Sequence, residues 1–353
     1  MKLSNNKKSI IKTIIFVIIF LLLYALVNNI FKGKGYAIDE FLLLKRNSRD
    51  VIFIGSSHVY TTILPAIIWE ESGVTSFNLT GSALPFWTQY HYIKETIKTQ
   101  TPKVIVCELY GVVSDTEYLS GSFIFQHLST MKASKNKIDA IFASVPKNLR
   151  IDYLLEFPLY HGRRNISIND FRHLLGLKTP ESVYLYFNGY FPHYGYAKKE
   201  NKKQKKPNVS TFLGYGEIPG KQLKYLMKII ELAKEQRDIK FLFLITPYRV
   251  SEKDELIFNS IEKIARENGI EFINYNFLYD EIGLDFNTDL FDETHLNEKG
   301  AMKLSKDLAK RLSLYELKDN RNNPDYEFWN IRSAEALQKI KNDSAAFYEA
   351  NKE

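Results

Sequence analysis

Short apolar runs alternate with amphipathic segments along much of this chain. In the first third, the runs 51–54, 76–79 and 103–109 predict three buried strands, of which the first and the third are rich in β-branched residues. Between them, the patterns at 65–71 and 87–99 are those of helices, the first with Pro65 in its opening turn. Strand–helix alternation of this kind is typical of a parallel sheet.

The alternation resumes after residue 220. The pattern there predicts two further strands, at 239–245 and 271–275, and core helices over 220–236, from the capping residue Ser251 to 268, and over 300–312. A polar tail follows, with a predicted helix at 333–351. We therefore expect an α/β fold, a three-layer sandwich around a parallel five-stranded sheet.

The segment between the two halves, about 111–220, is long, aromatic and irregular. Short helices are predicted near 137–145, 149–155 and 168–175, and the lysine-rich run 198–206 is typical of a solvated loop. The segment is too long for an ordinary loop and too poorly patterned for a separate domain, so we interpret it as an insertion or cap over the sheet. The expected divisions are 1–34, a domain over 35–318 and a tail over 319–353.

The N-terminal region has an apolar run from Ile14 to Val27, which predicts a transmembrane signal anchor. Lysines concentrate before the run, which places the N-terminus in the cytoplasm and the remaining chain outside the membrane, as a single-pass protein. The alternative is a cleaved secretory signal, but Ala25-Leu26-Val27 is a poor cleavage site. A short juxtamembrane helix is expected over 36–45.

Charge and cysteine content narrow the function classes. The chain has a net charge of +7, of which residues 1–34 supply six, from Lys2, Lys7, Lys8, Lys12, Lys32 and Lys34. The remainder is therefore near +1, and binding to nucleic acid through bulk charge is not expected. The single cysteine, Cys107, lies in an apolar run and is expected to be an inert core thiol. No Cys/His cluster has the spacing of a metal site, so no metal is expected.

Two short stretches carry the candidate chemistry. The first predicted strand runs into Gly55-Ser56-Ser57, and ligands of α/β proteins gather where parallel strands end. About 240 residues later, Asp292 and His295 lie three residues apart, just before a predicted helix. A serine needs a base to take its proton, and a carboxylate can orient that base. Asp285 and Asp289 are competing orienters, but the spacing favours Asp292.

With Asn78-Leu79-Thr80-Gly81 at the end of the second predicted strand, these blocks resemble the SGNH (GDSL-like) hydrolase superfamily. The resemblance covers roughly 50–110 and 239–312, and implies an SGNH/flavodoxin-like fold. It assigns Ser57 as nucleophile, His295 as base and Asp292 as its orienter, with the N–H groups of Ser57 and Gly81 as an oxyanion hole. It implies no cofactor.

The chain departs from the superfamily at the block after the third strand. Glu108-Leu109-Tyr110-Gly111 stands where Gly-x-Asn-Asp is expected, so the usual oxyanion asparagine is missing. With an anchor and a mid-chain insertion, the chain looks like the branch that includes alginate O-acetylation proteins and the teichoic acid D-alanyl transfer protein. That resemblance implies a membrane-bound O-acyltransferase (MBOAT) as the acyl-supplying partner, polysaccharide synthesis and export machinery, and a polysaccharide acceptor.

Other residues are weaker candidates for substrate binding. His58 follows the predicted nucleophile directly and either lines the site or points off the turn. His161 and Arg163 lie in the insertion and either bind substrate or form a structural cluster.

The leading hypothesis is an extracytoplasmic serine O-acetyltransferase that modifies an exopolysaccharide or cell-wall polymer. The alternatives are a carbohydrate esterase that uses the same three residues and a non-catalytic glycan-binding subunit of a polymer-modification complex.

Overall fold

A single parallel sheet forms the centre of the structure. The computed structural model describes residues 5–31, 37–129, 131–156, 159, 188–196 and 205–351. The strands are β1 (Val51–Gly55), β2 (Ser76–Thr80), β3 (Val104–Glu108), β4 (Lys240–Ile245) and β5 (Glu271–Asn274). They are parallel throughout and lie in the order β2-β1-β3-β4-β5. The predicted α/β fold with a parallel five-stranded sheet is confirmed.

Helices flank the sheet as the alternation predicts. In chain order they are α1 (Asn5–Phe31), α2 (Ala37–Leu43), α3 (Ser57–Tyr60), α4 (Pro65–Ser72), α5 (Phe86–Thr99), α6 (Gly121–Leu128), α7 (Lys135–Ser144), α8 (Arg150–Leu155), α9 (Gly220–Glu235), α10 (Glu252–Glu267), α11 (Glu298–Leu312) and α12 (Glu327–Ala350). The predicted helix at 168–175 lies outside the described residues.

The helices form two packed groups, one on each face of the sheet. Helix α4 packs against α11 and α12, whereas α5 packs against α7 and α9. Crossovers between parallel strands are right-handed. Two crossovers that run in opposite directions along the sheet therefore place their helices on opposite faces of it. The first crossover runs from β1 to β2 and the later ones run the other way, so the order reverses between β1 and β3. This reversal opens a crevice beyond the ends of β1 and β3, where ligands of such folds bind.

Most predicted boundaries differ from the observed ones by one or two residues, and two helix starts have causes that the structure shows. Helix α11 begins at Glu298 because the Asn297 side chain accepts hydrogen bonds from the N–H groups of Lys299 and Gly300. Helix α12 begins at Glu327, six residues before the predicted start, and its early turns pack on α4: Trp69 donates to the Asn330 side chain at 3.0 Å. Helices α3 and α6 were not predicted.

Helix α1 is long and apolar enough to cross a membrane over Asn6–Asn28, and its most apolar part is not buried against the rest of the chain. The next helix, α2, packs one face on the core: Ile38 and Phe41 are buried, and Phe41 contacts Phe77 of β2. The chain thus passes from an exposed apolar helix into the core within about ten residues.

Candidate active site

Ser57 lies on a tight turn at the carboxyl end of β1. The strand ends at Gly55, Ser56 caps the next helix by accepting from the N–H of His58 at 3.3 Å, and Ser57 is the first residue of α3. Gly55 is required here because an added Cβ would lie 2.6 Å from the Glu108 Cβ and 2.7 Å from a Val59 methyl. The short apolar strand and its glycine therefore hold the Ser57 hydroxyl at the sheet edge.

His295 and Asp292 lie in the same loop, just before α11. Leu290 and Leu296 form an antiparallel bridge that closes the loop. Inside it, the Asp292 carboxylate accepts from the backbone N–H groups of Thr294 at 2.7 Å and His295 at 2.8 Å. This is the local hydrogen bonding by which aspartate stabilises turns, and the three-residue spacing follows from it.

The structure brings Ser57, His295 and Asp292 into one chain of contacts. The Nε2 of His295 lies 2.8 Å from the Ser57 Oγ, and its Nδ1 lies 2.9 Å from Asp292 Oδ2. Burial would raise the pKa of Asp292, but hydrogen bonds from His295 and Thr294 lower it well below its ordinary value, so the carboxylate is ionised. This is the geometry of a nucleophile, a base and an orienting carboxylate.

The competing carboxylates are committed elsewhere. Asp289 is buried and accepts from the Lys303 ammonium at 2.6 Å, while Asp285 accepts from the N–H of Asn287 at 2.9 Å. The Asn297 side chain donates to the carbonyls of Thr288 and Gly195, both at 2.7 Å. The hydrogen bonds of Asp289 and Asn297 thus hold the loop in place. Asp292 is the carboxylate in contact with His295.

A buried carboxyl group, Glu108, lies directly beneath the serine turn at the end of β3. Its Oε2 accepts from the Ser56 hydroxyl at 3.1 Å and the Ser56 N–H at 3.3 Å, and its Oε1 accepts from the Tyr110 N–H at 2.6 Å. Burial raises its pKa to about 7, although these hydrogen bonds from Tyr110 and Ser56 oppose the shift. Sequence reasoning noted this position only for its missing asparagine. The available signal was a charged residue at the end of a wholly apolar strand.

Replacing Glu108 by glutamine is expected to flatten the pH dependence of both stability and activity. The pKa in the folded state, about 7, exceeds the ordinary 4.5, so the folded protein binds this proton more tightly than the unfolded chain. The free energy of unfolding therefore falls as the pH rises from about 4.5 towards 7, and the loss is complete above 7. Denaturant unfolding at about pH 5 and about pH 8, with rates of serine acylation at the same pH values, measures both effects.

Glu255 is the matched control for this substitution. Burial also raises its pKa to about 7, and it accepts from the side chains of Asn274 and Asn276, away from the serine turn. Glu255→Gln should flatten the stability curve alone. If both variants change the pH profile of acylation equally, Glu108 has no particular effect on the turn that carries Ser57.

His58 is buried beside Ser57 and His295. Its ring stacks on Tyr110 with centroids 3.7 Å apart, and its Nδ1 lies 3.1 Å from the Thr246 hydroxyl at the end of β4. Burial first, and then the nearby His295, lower its pKa well below the ordinary value, so the ring is neutral. The centroid of His58 is 5.1 Å from that of His295, so a neutral aromatic ring lies beside the His295 ring.

The segment 188–196 spans the two halves of the site. At one end, Phe191 donates its N–H to the carbonyl of Tyr60 in α3 at 2.7 Å. Towards the other end, the carbonyl of His193 accepts from the N–H of Glu298, three residues after His295, at 2.9 Å. The His193 ring lies 5.8 Å from that of His295 and 4.4 Å from that of Phe291. The spacing of histidines in the sequence did not indicate that His193 would lie here.

The predicted oxyanion donors lie at adjacent strand ends. The Ser57 N–H is at the first position of α3, where a helix offers no backbone acceptor. The Gly81 N–H, after β2, donates to the Gly55 carbonyl at 3.3 Å, a length at the weak end of the hydrogen-bond range. His127 packs against Gly81, since its ring would lie 2.6 Å from an added Cβ.

The remaining candidates are placed as follows. His161 and Arg163, the predicted secondary substrate-binding residues, lie outside the described residues. Cys107 is fully buried in β3. Within the described parts of the chain, no group of three or more His, Cys, Asp or Glu side chains could hold a metal ion.

Comparison with known proteins returned weak likenesses. No protein-family model matches the chain, and no curated protein matches it. Among solved structures, it aligns with a gut microbial diltiazem-metabolizing enzyme at TM-score 0.39 and 11% identity, over 76% of this chain and 48% of the other, about half its length. It also aligns with a Bacteroides fragilis protein assigned as an acylhydrolase at TM-score 0.35 and 14% identity, over 80% of this chain and 100% of the other.

Proposed function

We propose that this protein is a membrane-anchored, extracytoplasmic serine O-acyltransferase that acetylates a polysaccharide. The observation that carries the proposal is the contact of 2.8 Å between the Ser57 hydroxyl and the His295 ring, with Asp292 behind the ring. An isolated serine is a poor nucleophile, and this arrangement is how proteins activate one. We assign Ser57 as nucleophile, His295 as general base and acid, and Asp292 as its orienter.

The first half-reaction forms an acyl-enzyme. The Ser57 Oγ attacks the carbonyl carbon of an acyl donor while its proton passes to His295 Nε2. The tetrahedral intermediate then collapses, the bond from carbon to the leaving group breaks, and His295 returns the proton to that group. Asp292 holds the Nδ1–H tautomer and stabilises the imidazolium that forms in between.

The negative oxygen of the tetrahedral intermediate needs donors near the serine turn. The Ser57 N–H at the start of α3 is the first, and the Gly81 N–H is the second. Exchange of the long contact from Gly81 to the Gly55 carbonyl for a bond to a charged oxygen is favourable, because hydrogen bonds to ionised acceptors are about twice as strong. These two backbone donors would stabilise the intermediate without an asparagine side chain.

In the second half-reaction, a sugar hydroxyl attacks the acyl-enzyme in place of water. Its proton passes to His295 and then back to Ser57, so the ester moves to the sugar and the enzyme is restored. Outside the cytoplasm no pool of acyl-coenzyme A exists, so the donor must be supplied at the membrane. A membrane-bound O-acyltransferase working with polysaccharide synthesis and export machinery fits that requirement, and helix α1 keeps this domain close to it.

An aromatic rim beside the triad supports a carbohydrate acceptor. Phe191 and Phe291 are both exposed, and the His193 ring lies between them, with centroid distances of 6.3 and 4.4 Å. Exposed aromatic rings offer apolar faces next to polar edges, which suits the alternating surface of a sugar ring. Segment 188–196 contributes Phe191, and the loop that holds Asp292 and His295 contributes Phe291, so the rim lies beside His295.

One observation favours hydrolysis as a second candidate function. The side chains of His295 and Asp292 are 21% and 44% exposed, so water reaches the triad without a conformational change. An esterase that removes acetyl groups from carbohydrate would use the same three residues. Transfer and hydrolysis differ only in which hydroxyl group attacks the acyl-enzyme.

Intact-mass spectrometry of the full chain in detergent, after incubation with 4-nitrophenyl acetate, tests the proposal. Wild type is expected to gain the mass of one acetyl group, and Ser57→Ala is expected to gain none. Addition of acetyl-free oligosaccharides should then discharge the adduct faster than buffer alone and yield acetylated sugar. Ser210→Ala is the matched control, since Ser210 is exposed and away from the site.

The other outcomes are equally informative. If the adduct forms but leaves only to water, with no acetylated sugar, the protein is an esterase. If wild type and Ser57→Ala release nitrophenol at the same rate and neither carries the adduct, the serine mechanism is wrong. A glycan-binding subunit would then be the better hypothesis.

A further inference from the structure

Helices α7 and α8 and the turn between them carry an exposed apolar surface outside the active site, which we call the outer patch. Its members are large apolar side chains that are all exposed: Ile138, Phe142, Leu149, Ile151, Leu154 and Leu155. Soluble surfaces carry single exposed apolar residues as a matter of course, but contiguous groups of this kind mark a site of interaction.

The sequence spacing places two pairs of these side chains on shared helix faces. Ile138 and Phe142 are four residues apart on α7, and Ile151 and Leu155 are four apart on α8, so each pair shares one side of its helix. Arg150 joins the two helices: its guanidinium lies 4.9 Å from the centre of the Phe142 ring and donates to the Phe142 carbonyl at 3.1 Å. The outer patch is therefore one surface rather than scattered residues.

The outer patch meets helix α1 at the end of α8. The Leu155 carbonyl accepts from the Tyr24 hydroxyl and from the Asn28 side-chain amide, the latter at 3.2 Å. Asn28 ends the stretch that is long enough to cross a membrane, and Tyr24 lies four residues further in, about 6 Å along the helix axis. If α1 spans a bilayer, Leu155 lies at the depth of the lipid headgroups.

The polar residues of this region suit that depth. Lys147 is exposed next to Leu149, and Arg150 lies over Phe142 with its charge at the edge of the outer patch. Cations beside apolar side chains are typical of helices that lie in the membrane interface, where phosphate groups neutralise the cations and acyl chains cover the apolar face. Tyr24 itself is of the type enriched at that level.

We propose that the outer patch rests in the headgroup region of the lipid bilayer, as a second membrane contact beside α1. Helices α7 and α8 lie along the interface with their apolar side chains in the acyl-chain boundary and Lys147 and Arg150 at the phosphates. The domain is then held at a fixed height and orientation rather than tethered loosely by a linker. This inference is independent of the reaction at Ser57.

Site-specific fluorescence of the full chain in nanodiscs tests this inference. A cysteine introduced by Phe142→Cys or Leu154→Cys is labelled with an environment-sensitive dye, one protein molecule per disc, in phosphatidylglycerol and phosphatidylethanolamine. Cys107 remains in place because it is fully buried and does not react. We expect a blue-shifted emission at both sites and quenching by nitroxide-labelled lipids several-fold stronger than at a control site.

Phe328→Cys supplies that control. Phe328 is 65% exposed, against 50% for Phe142, and it too lies beside an arginine, with the Arg332 guanidinium 5.7 Å from its ring centre. It belongs to α12, on the opposite face of the sheet from α7. Equal quenching at Phe142, Leu154 and Phe328 would overturn the inference. A blue shift at the two patch sites without quenching by lipid would also overturn it, because protein would then cover the patch.

Discussion

Replacing His295 by alanine is expected to lower the rate of Ser57 acylation by at least roughly 10³-fold. The reason is the contact of 2.8 Å between His295 Nε2 and the Ser57 hydroxyl, which gives the nucleophile its base. Without it, the serine proton has no acceptor at the moment of attack. Stopped-flow measurement of the nitrophenol burst from 4-nitrophenyl acetate gives the rate directly.

The double variant Ser57→Ala/His295→Ala makes this prediction sharper. The effects of substitutions at residues that act as one unit are not additive. The double variant should therefore release nitrophenol no more slowly than Ser57→Ala alone. His193→Ala is the comparison, because that ring lies edge-on at 5.8 Å from the His295 ring but is not part of the hydrogen bonds that join Asp292, His295 and Ser57. A burst rate in His295→Ala within tenfold of wild type would remove the base from the mechanism.

The substitution Gly55→Ala is expected to destabilise the fold and to abolish acylation together. The new Cβ would lie 2.6 Å from the Glu108 Cβ, 2.8 Å from its Oε2 and 2.7 Å from a Val59 methyl. Because Glu108 is part of β3, its Cβ cannot move without moving the strand. Overpacking of this kind costs about 1–3 kcal/mol. It also pushes the carboxyl group that holds Ser56 away from the serine turn.

Chemical unfolding in detergent and the nitrophenol burst measure the two effects. Gly220→Ala is the control, because an added Cβ there meets no atom within 4 Å. That variant should keep wild-type stability and acylation. A fully active and stable Gly55→Ala protein would show that the packing of β1 against Glu108 does not position Ser57.

The fold was largely predictable from the chain because hydrophobic periodicity is local. The strands at 51–54, 76–79 and 239–245 are short and apolar, and each appears within about one residue of its expected position. Boundaries set by side-chain caps or tertiary packing were harder. Helix α12 starts early because Trp69 and Asn330 hold its first turns against α4, a contact across more than 250 residues of chain.

Part of the site was also visible in the sequence. Ser57 follows a strand and a glycine, and the three-residue spacing of Asp292 and His295 reflects a turn closed by the aspartate itself. The acylation experiments with Ser57→Ala and His295→Ala test the catalytic roles of those two residues, and the roles of Asp292 and of the Gly81 N–H stay predictions.

Local sequence patterns were enough to predict the parallel α/β fold, the apolar helix α1 and the two motifs that contain Ser57 and His295. Each of these features depends on residues that are close together in the chain. Only the tertiary structure decided what surrounds those motifs. Glu108 lies under the serine turn because β1 and β3 are adjacent in the sheet, and His193 lies beside His295 because the segment 188–196 bonds to both halves of the site. Such contacts depend on which strands and loops are adjacent in the folded protein, and local sequence patterns do not predict that.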